Sequence, residues 1–386
     1  MTPGARVQAA IGCLDAIIAG MPSEQALIRW ARGARYAGSA DRRAVRDHVH
    51  DALRRRRSAA RVGGGDTGRA LMIGALVLDG TDPGALFTGE GHAPAPLQAG
   101  EGQGRLDGAP EAVRADLPDW VWSRLVAQHG ADAAARIGAA QRGRAPLWLR
   151  VNLAQASREA AAQALATEDI ATRPHHEVAT ALEVTARAQK LRQTRAWADG
   201  MVELQDAAPQ AAVLRLPLVP GMRILDHCAG GGGKALAVAA LTGGPVFAHD
   251  ADPARMGDIP ARAARARADI RILPAPAREA PFDMVIVDAP CSGSGTWRRT
   301  PDAKWRLTPE RLEELVALQA RIMAEAAALV APGGVLAWMT CSVLDKENNA
   351  RVAALAAEGG WRVADSHLWL PGLHGDGFYL AVMKKT

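Results

Sequence analysis

Met284-Val285-Ile286-Val287 is a short apolar run that stops in Asp288-Ala289-Pro290-Cys291, followed by the loop formers Ser292, Gly293, Ser294 and Gly295. Such a run predicts a strand buried in a parallel sheet. An acid and a thiol then lie just past its carboxyl end, where open α/β sheets bind ligands. The layout recurs: Gly334 to Met339 (GVLAWM) reads as a second strand and leads into Thr340-Cys341-Ser342. Of the four cysteines, Cys13, Cys228, Cys291 and Cys341, the last three sit at or directly after predicted strand ends. If strands 284–287 and 334–339 are neighbours, Cys291 and Cys341 face one crevice. Two thiols there can be a disulfide, a metal pair or two catalytic groups. The chain has no Cys-x-x-Cys, which argues against zinc, and no metal is expected.

The remaining pattern builds a sheet around that pair. Arg223 to Cys228 reads as the first strand, Ala229 to Lys234 as a glycine turn and Ala235 to Leu241 as a helix. Val246 to Asp250 and Arg271 to Leu273 read as the next two strands. A helix over 309–330 precedes strand 334–339, a helix follows over 347–358, and 361–363 with 378–383 make a final strand pair. This alternation predicts a doubly wound α/β sheet of the Rossmann type. Upstream, a strand at 146–152, a helix at 157–166 and a short helix after Asp206 predict a small α+β region. His175-His176 reads as a surface loop, with no third ligand nearby. The expected domains are a basic helical one at 1–80, a Gly- and Pro-rich linker at 81–108, the α+β region at 109–200 and a catalytic domain at 201–386.

Charge is uneven along the chain. Residues 1–61 hold twelve Arg against five acids, a balance of +7 where the whole 386-residue chain has +5. Four of those Arg run consecutively from Arg54 to Arg57. A basic helical end points to a polyanion such as nucleic acid, against the commoner meaning of a solvated face. Lysine is scarce, and Lys234, Lys304 and Lys346 fall inside motif stretches, which suggests positions needing an ammonium specifically. No apolar run approaches the roughly 18 residues of a membrane helix. The N-terminal apolar patch is broken by Asp15 and lacks a cleavage site. Cytoplasmic location, no membrane partner and a monomer are the expectations.

Cys228-Ala229-Gly230-Gly231-Gly232-Gly233-Lys234 has three readings. As a phosphate loop it fails, because Cys228 stands at the first glycine position and Ala235 replaces the Ser or Thr. As a dinucleotide fingerprint it passes loosely, with Gly230, Gly232, Ala235 and the acid Asp250. As a nucleoside site it also passes, since glycines allow close approach and Asp250 can accept both ribose hydroxyls. The turn alone does not choose between NAD and S-adenosylmethionine.

The phrases QDAAPQ (205–210), ILDHCAGGGGK (224–234), VDAPCSGSGTWRRTPDAKWR (287–306), TCSVLDKENN (340–349) and DGFYLAVMK (376–384) resemble, in order and spacing, the RsmB/Sun family of RNA 5-methylcytosine methyltransferases. The resemblance covers about 110–386 strongly; the basic N-terminus resembles the family's NusB-like RNA-binding domain more weakly. It implies S-adenosylmethionine as cofactor, held by residues 228–234 (Cys228, Ala229, Gly230, Gly231, Gly232, Gly233, Lys234) with Asp250 and Asp288. It implies RNA as partner, with ribosomal RNA of the small subunit expected and transfer RNA the alternative. Cys341 is implied as the attacking thiol, Cys291 as the group that helps release the adduct, and Asp288 as a contact to the base. DNA cytosine methyltransferases instead use the Cys of a Pro-Cys pair like 290–291, and spacing alone does not say which thiol attacks. Lys234 and Lys304 are candidate cations to favour the thiolate. Two departures stand out: the family has Pro where this chain has Gly231, which predicts a looser turn, and 273–277 lacks the family's acid near the adenine. These departures keep open an RNA-binding factor with a degraded cofactor site, while an NAD-dependent oxidoreductase rests on the turn alone.

Overall fold

The computed structural model describes residues 1–372 and 375–386. The first part is helical: α1 (Pro3–Ile18), α2 (Ser23–Gly33), α3 (Ser39–Arg54), α4 (Arg56–Gly63), α5 (Gly68–Leu78), α6 (Glu111–Arg114), α7 (Asp119–His129) and α8 (Ala131–Arg142). Strands and helices then mix: β1 (Trp148–Val151), α9 (Arg158–Thr167), β2 (Thr172–Pro174), β3 (Ala181–Val184), α10 (Arg195–Ala198), β4 (Val202–Leu204) and α11 (Ala207–Leu214). The main sheet follows with β5 (Ile224–Asp226), α12 (Gly233–Thr242), β6 (Val246–Ala248), α13 (Ile259–Ala266), β7 (Ile270–Ile272) and β8 (Phe282–Asp288). It closes with α14 (Pro301–Arg306), α15 (Pro309–Leu329), β9 (Val330–Thr340), α16 (Asn349–Ala357), β10 (Trp361–Trp369) and β11 (Phe378–Lys385). The final strand pair is thus longer than its apolar residues predict.

Two compact units result, and their division differs from the expected boundaries. Met1–Arg144 with Trp297–Leu307 forms one; Ala145–Thr296 with Thr308–Thr386 forms the other. In the helical unit α1 is capped by Thr2, whose Oγ1 accepts from the Ala5 amide at 3.2 Å, with Pro3 in the first turn. Val7, Leu14, Val49, Leu53 and Leu71 share one core. The stretch 81–108 is not a free tether. Phe87 belongs to that core, Leu97 packs on it, and Arg69 grips Glu101 at 2.7 and 2.8 Å.

The Arg54–Arg57 run is not an open basic surface either. Arg54 pairs with Asp51, Arg55 with Asp79, Arg56 with Asp66 and Arg57 with Asp119. The exposed arginines of this unit lie elsewhere, among them Arg29, Arg32, Arg35, Arg42, Arg43 and Arg46.

In the second unit β2-β3-β1-β4 form an antiparallel sheet around Leu149, Val151, Leu165 and Leu182. His175 is buried rather than on an open loop; its Nδ1 accepts from the amides of Glu177 and Val178. The larger sheet has the order β10-β11-β9-β8-β5-β6-β7. Its five strands β9-β8-β5-β6-β7 are parallel, and β11 runs antiparallel between β9 and β10. Alternation along β8 sends Met284 and Ile286 into one core and Val285 and Val287 into the other, which Phe282 joins across a register shift before Met284. β9 does the same with Val335, Ala337 and Met339 against Leu336 and Trp338. Both faces are therefore covered, as a continuous apolar run requires. Strand order reverses between β5 and β8, which opens a crevice at their carboxyl ends. Among the described residues no helix is long and apolar enough to cross a membrane.

Candidate functional site

The two thiols meet because β8 and β9 are parallel neighbours with Asp288 opposite Met339. The ladder continues one step further, Ala289 donating to the Met339 carbonyl at 2.9 Å. Two residues fifty positions apart in the chain are thereby brought to a Cys291 Sγ to Cys341 Sγ distance of 3.3 Å. Both are free thiols, so the disulfide alternative does not hold in this structure. The loop after Cys291 is clamped from behind: Gly295 donates to the Cys341 carbonyl, and Gly377 donates to that of Gly295. A Cβ on Gly295 would lie 2.3 Å from the Gly377 carbonyl oxygen, so only glycine fits there.

Lys234, in the first turn of α12, reaches across the crevice and pairs with the Asp288 carboxylate, its ammonium 5.3 Å from the Phe378 ring centroid. Burial pulls the lysine's pKa down. Asp288, then Asp226 and Cys341, push it up by more, so the net shift is upward and the charge is kept. A fixed cation therefore stands within electrostatic reach of Cys341. The Cys291 pKa is pushed well up, first by its hydrogen bond with Cys341, then by burial and by the charges of Cys341 and Glu347. Burial and its neighbours thus favour the protonated form of Cys291.

Lys304 is not part of this arrangement. It is buried in the helical unit and donates to the Arg54 carbonyl at 3.1 Å, with burial lowering its pKa to about 7. Lys346 makes a surface pair with Glu313. Of the three conspicuous lysines, only Lys234 stands at the thiols.

The glycine turn is held more firmly than the replacement of proline by Gly231 predicts. Asp250, just past β6, accepts from the Gly230 amide at 2.9 Å and from the Asp252 amide at 3.0 Å. Arg262 donates to the Gly231 carbonyl, and Arg150 to the Gly233 carbonyl at 2.5 Å. A Cβ at 231 would stand 2.8 Å from Arg262 Nη1, so this guanidinium occupies the side-chain space that the glycine leaves. Gly230 and Gly232 have φ of +49° and +80°, the left-handed region that favours glycine. Cys228 is no ionised ligand, since burial, then Asp226, Asp288 and Asp250, push its thiol up to about 12. Glycines at positive φ, a carboxylate at the next strand end and backbone brought close together fit a nucleoside-bearing cofactor.

Two residues of this site escape sequence reading. Asp226 ends β5 at 1% exposure, and its Oδ2 accepts from the Ala235 amide at 3.1 Å. Burial, with Asp288 and Asp250 against the opposing Lys234, raises its pKa to about 7. Glu347, inside the TCSVLDKENN phrase beside the lysine that drew notice, is wholly buried between the two Cys-Ser loops. The signal available for both was an acid inside an otherwise apolar or motif stretch.

The profile of the 16S rRNA methyltransferase RsmB/F family matches residues 213–383, and that of the RsmF/B-like ferredoxin-like domain matches 117–189. The chain is 34% identical over 266 residues to the ribosomal RNA small subunit methyltransferase B of Pectobacterium carotovorum, covering 63% of this chain and 60% of that protein. It is 33% identical over 298 residues to the same-named protein of Sodalis glossinidius, covering 71% and 68%. The chain therefore spans about three fifths to two thirds of the length of these curated relatives. The solved structure of PH0851 superposes with a TM-score of 0.77 over 100% of this chain and 99% of the other, at 21% identity, which is a likeness of fold.

Proposed function

The chain belongs to the RsmB/F family of 16S rRNA methyltransferases, and we propose that it moves a methyl group from S-adenosylmethionine to carbon 5 of a cytosine in small-subunit ribosomal RNA, with Cys341 as nucleophile. The observation that carries this reading is the thiol pair at 3.3 Å with the Lys234–Asp288 pair beside it.

Carbon 5 of cytosine is a poor nucleophile. Addition of the Cys341 thiolate to carbon 6 makes the ring an enamine, and its carbon 5 can then attack. Bound at the glycine turn, the cofactor supplies an electrophilic methyl on a sulfonium. Lys234 favours the thiolate of Cys341 electrostatically. Asp288, the partner of Lys234, is assigned to accept a hydrogen bond from a cytosine amino group or protonated ring nitrogen. Release requires loss of the carbon 5 proton and cleavage of the carbon 6–sulfur bond, and Cys291 is assigned to that stage. The base must leave any stack to reach such a crevice, so an unpaired or extruded cytosine is the substrate form.

The test uses both thiol variants with small-subunit RNA and cofactor. Cys341→Ala should form no methylcytosine and no covalent RNA complex. Cys291→Ala should attack and transfer but not release, leaving a protein–RNA band that survives a denaturing gel. Trapping by Cys341→Ala with none by Cys291→Ala would reverse the roles.

A further inference from the structure

Glu347 has no part in the chemistry above, yet its carboxylate is wholly buried between the two thiol-bearing loops. Oε1 accepts from the Ser292 amide at 2.8 Å and from Gln319 Nε2 at 3.0 Å. Oε2 accepts from the Ser292 hydroxyl at 2.5 Å and from the Ser342 hydroxyl at 2.5 Å. Ser292 and Ser342 directly follow Cys291 and Cys341. Gln319 of α15 also donates to the carbonyl of Pro290, the residue before Cys291. One carboxylate thus gathers the chain directly after both thiols and, through Gln319, the residue before Cys291. All four donors are neutral, and hydrogen bonds to an ionised acceptor are shorter and stronger than neutral ones. Without the carboxylate, both hydroxyls and the Ser292 amide lose their shared acceptor, while the Ser342 hydroxyl still meets those of Ser292 and Ser294.

We propose that Glu347 is a positioning residue that ties the Cys291 loop to the Cys341 loop and thereby sets the spacing of the two thiols. The proposal rests on the reading of those thiols as the reacting groups, but the spacing can be measured without RNA or cofactor.

The experiment equilibrates the full chain with glutathione and its disulfide and maps the Cys291–Cys341 disulfide by peptide mass. Two thiols give up two protons and two electrons, and each glutathione disulfide consumed yields two glutathione thiols. The equilibrium gives an effective concentration of one thiol at the other, which depends on how closely they are held. Glu347→Ala should lower that concentration by about tenfold or more, while Glu347→Gln stays within about threefold of wild type. The glutamine carbonyl can keep the Oε1 contacts, and its amide can donate to hydroxyls that turn round. If Glu347→Ala does not fold, Ser292→Ala/Ser342→Ala removes both hydroxyls tied to Oε2, keeps the Oε1 contacts and should show a loss in the same direction. In methyl transfer, Glu347→Ala should lower kcat with little change in KM for RNA or cofactor. A folded Glu347→Ala or double-serine variant whose effective concentration matches wild type would overturn the proposal. A fall in effective concentration with no methylation by the wild type would leave the positioning role standing and remove the cytosine chemistry instead.

Discussion

Asp226→Asn isolates the electrostatics beneath the cofactor turn. Asp226 Oδ2 holds the Ala235 amide, while Oδ1 has no partner among the described residues. Burial in the company of Asp288 and Asp250 raises its pKa from 3.8 to about 7. A raised carboxyl pKa means that the folded chain binds more protons than the unfolded one between those two values. Stability contributed by this group therefore falls as pH rises, and the penalty is complete above pH 7. Each pKa unit is worth about 1.36 kcal/mol, so raising the pH from 5 to 8 should cost the wild type at most about 2.7 kcal/mol that the uncharged variant escapes. Asparagine keeps an acceptor for Ala235 but leaves its amide unpartnered, a loss of about 1–3 kcal/mol that does not vary with pH. The informative quantity is thus the change in the gap between variant and wild type, not its size at one pH. Urea unfolding of both proteins at pH 5, 6, 7 and 8, at constant ionic strength, measures it. Stability curves that stay parallel across that range would refute a buried carboxyl titrating near neutrality.

Asp250→Ala removes the acceptor of the Gly230 amide and the group assigned to the ribose hydroxyls, so calorimetry should show S-adenosylmethionine binding weakened by roughly 1.5–3 kcal/mol; unchanged affinity removes Asp250 from the site. Replacing the exposed Arg29, Arg32, Arg42, Arg43 and Arg46 by glutamine should weaken RNA binding and flatten its salt dependence by about 0.7–0.9 in log–log slope per lost phosphate contact. The same change at Arg55, Arg56 and Arg57, which are paired with Asp79, Asp66 and Asp119, should leave the slope nearly unaltered; a wild-type slope in both sets would mean that neither patch meets RNA.

Much of the α/β unit is legible from local pattern. The run Met284–Val287 and the run Gly334–Met339 each fall inside an observed strand, and their cysteines lie just beyond. Asp250 and the glycine turn are legible for the same reason: strand ends and turns are written in neighbouring residues, with a period of two along the strand and glycine where φ must be positive. The helical segments of the first 80 residues follow likewise from 3.6-residue spacing and from caps such as Thr67, whose Oγ1 accepts from the Ala70 amide at 3.2 Å.

What charged and polar groups do with one another is a different matter. Arg54 to Arg57 read as a basic run, but each finds an acid, from Asp51 three residues away to Asp119 sixty-two residues away. Lys234 and Lys304 look equivalent in sequence, yet the β5–β8 pairing brings the first to Asp288 while helix packing buries the second against the Arg54 carbonyl. Glu347 becomes the tie between two loops only because the β8–β9 register brings Ser292 and Ser342 to it from fifty residues apart. Periodicity is a property of adjacent residues and survives in the bare sequence. Pairing, burial and protonation depend on which distant residues share a dry volume, and sheet register and helix packing decide that once the chain has folded.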